Sequence, residues 1–173
     1  VVVVKSMVAH TVTYFVFGLL AYFVLDYPRL LAKTELRSLM RPATDRVVMA
    51  GLLFQPIRGL FFGALLCMLR ETFFARRRGW LRLWMVLVVV GIIGPMGPVP
   101  GPLEGMIFTT IPLSVQLKGL PEVVLQTLAF SWILCYWVDH PEKRWLSWCL
   151  GFVFGVACLL PVLGLLATQT AAR

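Results

Sequence analysis

"GLLFQPIRGLFFGALLCMLR", residues 51–70, is apolar almost throughout, yet it carries Arg58 in its middle. Arg58 lies twelve residues from both Arg46 and Arg70, or about 18 Å from each along a helix. A stretch of this length and polarity reads as a membrane-crossing helix, since roughly 20 apolar residues cover a hydrocarbon layer of about 30 Å. Four further stretches of similar character flank it. The expected spans are 7–25, 47–69, 80–99, 121–138 and 145–167. Hydrophobic residues make up 60% of the chain and its mean hydropathy is +0.86, well above what one soluble domain of 173 residues requires. The expected fold is therefore all-α: a polytopic transmembrane bundle of about five helices, forming one integral membrane domain over residues 1–173.

A net charge of +8 does not point to nucleic acid. The basic residues sit mainly in short connections between apolar runs, where anionic lipid headgroups are the natural counter-charge. One end collects Lys5, five arginines from Arg70 to Arg82, Lys143 and Arg144. The other collects Arg29, Lys33, Arg37, Arg41, Arg46, Lys118 and Arg173. The totals are nearly balanced. The dense Arg76–Arg78 cluster places the first end, with the N-terminus, in the cytoplasm.

The connections carry their own signals. Residues 28–42 mix leucines with basic residues and suit a short amphipathic helix in the interface. "PATD" precedes the second span, with Thr44 or Asp45 as its cap. From Gly94 the tract "GPMGPVPGPLEG" cannot continue a regular helix. With the apolar "MIFTTIPLSVQL" it makes residues 94–117 an irregular or re-entrant segment, a pattern associated with binding sites in transporters. Pro121 suits the first turn of the fourth span. Trp132, Tyr136 and Trp137 suit an aromatic belt at its far end.

Small residues recur every fourth position at Gly51, Gln55, Gly59, Gly63 and Cys67, and again at Gly151 and Gly155. Both stripes read as close helix contacts. Cys67, Cys135, Cys149 and Cys158 fall inside expected spans without metal-type spacing, so they read as small packing residues. His10 and Tyr14 share a helix face with Gly18 and Tyr22. His10 has no second spanning histidine for a bis-ligated pigment and reads as a hydrogen-bonded packing residue. No zinc, nucleophile-elbow or phosphate-loop motif is present, and the sequence calls for no cofactor, metal or catalytic set.

Arg58 needs compensation, because a central arginine costs roughly 2.5–3.5 kcal/mol on insertion scales. Glu104 and Glu122 are the acidic candidates. Gln55, Gln126, Thr109, Thr110, Gln116, His10 and Tyr14 would complete a polar locus. Such a locus would bind or pass a small solute, and an arginine facing it favours an anionic one. Three other readings follow from the same residues. The charge pair could fix helix register. The chain could serve as a non-catalytic subunit docked to other membrane proteins or to copies of itself. Glu104, Glu122 or His10 could also act on a lipid.

Overall fold

The computed structural model describes residues 1–26, 29, 41, 45–94 and 102–170. Among them there is helix and turn but no strand. Helix α1 is Val2–Val24. Helix α2 is Arg46–Met68, with a 3-10 turn at Leu52–Phe54. A short α3 (Arg70–Phe73) precedes α4 (Gly79–Val88), which ends in a π-helical turn at Val89–Ile93. Then come α5 (Leu103–Phe108), α6 (Leu113–Asp139) and α7 (Arg144–Thr170).

Four of these, α1, α2, α6 and α7, are long and apolar enough to cross a membrane. They fit an integral membrane protein. The apolar segment expected over 80–99 forms a shorter helix. Its ten α-helical residues and five-residue π turn reach roughly 20–22 Å, short of a hydrocarbon layer. Pro121 differs from expectation too. It lies inside α6 rather than in its first turn, because the helix begins eight residues earlier, after Pro112. Pro112 (φ −54°, ψ 134°) takes the cap position instead. Gln116 anchors that first turn by donating to the Gly105 and Ile111 carbonyls and to Thr109 Oγ1. The interfacial helix expected over 28–42 falls outside the described residues, apart from Arg29 and Arg41. So does the 95–101 part of the Gly/Pro tract.

Every residue from Val8 to Thr13 is buried. Six consecutive positions at about 100° each cover all directions, so α1 is surrounded. It packs against α2, α6 and α7, while α4 packs on α6. The buried hydroxyls of Thr11 and Thr13 are satisfied by carbonyls of their own helix, Met7 O at 2.9 Å and Ala9 O at 2.8 Å. Helix α2 runs antiparallel to α1. A Cβ at Gly59 would lie 2.7 Å from Met7 Cα, and one at Gly63 would lie 2.7 Å from Val3 Cα. Only glycine lets α2 lie against the α1 backbone this closely.

The end of the bundle holding the N-terminus is knotted by polar contacts. Lys5 Nζ donates to the Trp137 carbonyl and stands over that indole ring. The Ala75 N–H donates to Asp139 Oδ1 at 2.9 Å. Trp137 Nε1 donates to Ser147 Oγ at 2.9 Å, so Trp137 is a buried strut. Trp132 is outward-facing, as a belt residue should be. The α3–α4 turn passes through left-handed Ala75 and Arg78. It then meets Gly79, where a Cβ would sit 1.8 Å from Phe73 O.

Two packing expectations need correction. A Cβ at Gly51, Gly151 or Gly155 meets no described atom within 4 Å. The α7 stripe thus faces away from the other described residues instead of forming a contact with them. Of the four cysteines, Cys135 is buried, Cys158 is intermediate, and Cys67 and Cys149 are exposed. Only Cys135 belongs to a buried cluster, with Phe73, Leu83 and Leu134.

Candidate functional site

A cavity of about 570 Å³ lies among α1, α2, α4 and α6. Local sequence explains why space remains there. On α2, Gly59 and Gly63 turn into the α1 seam. The residues just before them, Arg58 and Phe62, line the cavity. On α4, the wall falls at the π turn through Val90, Gly91 and Ile92. A π turn re-aims the side chains around it. Gly91 leaves open volume, since a Cβ there would meet only Val123 Cγ1, at 3.8 Å.

The end of the cavity nearest the buried core is aromatic. His10 makes edge contacts with Phe62 and Phe130, at centroid separations of 5.1 and 5.8 Å. Behind it, His10 Nε2 lies 3.3 Å from Gln55 Oε1, and Gln55 Nε2 donates to the Gly51 carbonyl at 3.3 Å. The relay assigns the imidazole proton to Nε2 and leaves Nδ1 as acceptor. It also ties α1 to the point where α2 changes from 3-10 to α-helix.

Arg58 is the cation of the cavity and Glu122, on α6, is its carboxylate. The guanidinium carbon stands 5.8 Å from the Phe62 ring centroid, within cation–π range. Tyr14 lies in electrostatic reach of both charges. Gln126 is one turn from Glu122 and lines the same wall, with Thr127 beside it. The Thr127 hydroxyl donates to the Val123 and Val124 carbonyls at 2.8 and 3.0 Å. Trp84 Nε1 reaches the Val124 carbonyl at 3.2 Å and fastens α4 to α6 beside the cavity.

Of the residues expected in one polar locus, the fold brings His10, Tyr14, Arg58, Glu122 and Gln126 to this cavity. Gln55 stands behind it as the partner of His10. Thr109 and Gln116 form a separate buried knot that holds α5 to the start of α6. Thr110 is exposed beside that knot. Glu104 occupies the first turn of α5, two residues past Pro102, which lines the cavity. Sequence reasoning missed Phe62, Gly91 and Thr127. The signal for Gly91 was available, as a lone glycine inside the "VVVGII" run.

Among the described residues, no cluster of three or more His, Cys, Asp or Glu side chains could hold a metal ion. No protein-family model matches the chain, and neither the curated proteins nor the solved structures contain a match to it.

Proposed function

We propose that this chain is an integral membrane protein that binds an anionic solute in the cavity at Arg58 and gives it a passage through the bundle. The observation that carries the reading is the placement of Arg58. It stands near the middle of an apolar span, yet its side chain lines a cavity and is exposed rather than packed away. A guanidinium in apolar surroundings presents a fixed fork of donors suited to carboxylate or phosphate oxygens. Gln126 and Tyr14 add neutral polar groups on facing walls. The basic end of the bundle, with Arg70, Arg76–Arg78, Arg82, Lys143 and Arg144, faces the cytoplasm in this reading.

The test is thermal unfolding of the detergent-purified protein with matched anionic, cationic and neutral compounds, each in a short-chain and a long-chain form. Anions should raise Tm in the wild type and in Arg58→Lys but not in Arg58→Met. A ligand at a hundred times its Kd would add about 2.7 kcal/mol. The reading fails if no anion stabilises the protein in an Arg58-dependent way.

A second reading rests on a different surface. Gly151 and Gly155 face outward on α7 with Trp148 (79% exposed) and Phe152 (74% exposed) beside them. That face suits a helix of another membrane subunit or of a second copy. Light scattering on the purified chain checks it. A defined oligomer that Gly151→Val dissociates supports docking there, and a monomer in both forms opposes it.

A further inference from the structure

We propose that the ligand of the Arg58 cavity is an anionic amphiphile, with a phosphate or carboxylate head and an apolar tail, that enters sideways from the lipid between α2 and α4. This rests on the reading of Arg58 as an anion anchor and adds the ligand class and the route.

The route follows from which helices pack together. Both α2 and α4 wall the cavity, but α2 is held by α1 and α4 is held by α6. The two do not pack substantially on each other. Among the described residues, the cavity wall is therefore interrupted between them. Val90 lines the cavity and is 62% exposed, and Arg58 is likewise both lining and exposed. Exposure this high at lining residues marks a cavity open to the outside rather than sealed. On the opposite wall, the α1 residue His10 is only 6% exposed.

The ligand class follows from the apolar surface of the two helices. Phe61 and Leu65 on α2, within a turn of the lining residue Phe62, and Val86 and Val89, next to the lining residues Leu87 and Val90, are all exposed and apolar. Such a gap beside the membrane-crossing α2 admits an acyl chain and disfavours a hydrated ion, which would give up its water among alkyl groups. Inside, Leu87, Ile92 and Val123 give an apolar wall, and Arg58 is the cationic group. The volume is in the range of small-molecule sites, so head and proximal chain fit inside while the distal chain stays in the gap. Glu122 on the far wall disfavours a second negative charge deeper in the cavity, which leaves the head at the α2 side.

Native mass spectrometry of the full chain in neutral detergent tests this. The probes are lysophosphatidic acid, a monoacylglycerol of the same chain length, and inorganic phosphate. Lysophosphatidic acid should bind once per chain and at least about tenfold tighter than the neutral lipid, as expected for one desolvated charge contact. Arg58→Gln should abolish that preference and Arg58→Lys should keep most of it. Val90→Trp, which fills the gap, should weaken lysophosphatidic acid binding. Inorganic phosphate should not displace the lipid. If phosphate displaces it with equal potency, the ligand is a water-soluble anion; the amphiphile and its route are wrong while the anion site stands. If wild type and Arg58→Gln bind both lipids alike, the anion site itself is wrong. Should Arg58→Gln fail to fold, the wild-type preference and the Val90→Trp arm still decide the outcome.

Discussion

The two faces of α2 make opposite use of consecutive residues. Gly59 and Gly63 bring the helix within backbone contact of Met7 and Val3 on α1. Arg58 and Phe62, one position earlier in each case, stand in a cavity. Removing a side chain on one face closes a seam, and retaining a large polar one on the next holds a space open. The tight face makes the loose one affordable: α2 is anchored by the α1 seam and does not need α4 for support. A charged residue can then occupy the middle of a span without having to serve as a packing element.

Attacking the seam should have the largest effect. Gly63→Val puts branched carbon where a Cβ already falls 2.7 Å from Val3 Cα, so α2 must move away. We expect a loss of more than about 3 kcal/mol, at or beyond the upper end of overpacking penalties, read as a collapse of the thermal transition in detergent. The same change at Gly151, with no neighbour among the described residues, should stay within about 0.5 kcal/mol for the isolated subunit. Equal stability of the two variants would remove the distinction between seam and open face.

On the loose side, Arg58→Met should leave the fold intact and raise stability by no more than about 2.5 kcal/mol, the lower end of a mid-span arginine's insertion cost. A guanidinium holding the bundle together through a buried ion pair predicts the opposite, a loss of about 3–5 kcal/mol. The sign of the shift in Tm decides. Between the two faces runs the His10–Gln55 relay. Gln55→Leu should cost about 0.6 kcal/mol and at most about 1.7, the range measured for hydrogen bonds between membrane helices. A double-mutant cycle with His10→Phe isolates the pairwise part, and a coupling near zero would mean that the two side chains do not support each other.

The smallest effect belongs to the start of α2. The Val47 N–H donates to Asp45 Oδ1 at 2.8 Å, and Arg41 donates to Oδ2 at 3.1 Å. Both hold the carboxyl below its ordinary value of 3.8, with the backbone bond the larger cause. A depressed native value means that the unfolded chain takes up the proton first. The cap therefore contributes at neutral pH and down to the ordinary carboxylate range, and is lost as pH falls further through the native value. The protection factor of the Val47 amide, its exchange rate taken relative to the intrinsic rate at each pH, should fall on acidification in the wild type and not in Asp45→Ala. An identical pH response in both would place the protection elsewhere.

How far the sequence could be read depended on what each residue had to satisfy. Apolar runs of membrane-crossing length announce α1, α2 and α7, because hydrophobicity alone defines them. Asp45 announces its helix, because capping is local. Gly59 and Gly63 announce a close contact but not with whom; Gly151 and Gly155 carry the same spacing and touch no other described residue. The start of α6 was hidden because Pro121 resembles a first-turn proline, whereas Pro112 holds the cap and the Gln116 amide secures the turn through groups up to eleven residues away. Of the polar locus, His10, Tyr14, Arg58, Glu122 and Gln126 line one cavity, and all lie on long helices. Thr109 and Gln116 were drawn into backbone satisfaction around α5, a need that no periodicity reveals.

The most direct measurement is chemical access in the membrane. In a background with the four native cysteines replaced by serine, single cysteines at Phe62 and Thr127 report on the cavity, and single cysteines at Ser6 and Leu66 report on buried positions away from it. The account predicts that the cavity positions react with small thiosulfonate reagents and the buried pair does not. A negatively charged reagent should outpace a positively charged one of equal size, and Arg58→Gln should erase that preference. Equal reactivity at all four positions, or a preference for the positive reagent, would contradict the account.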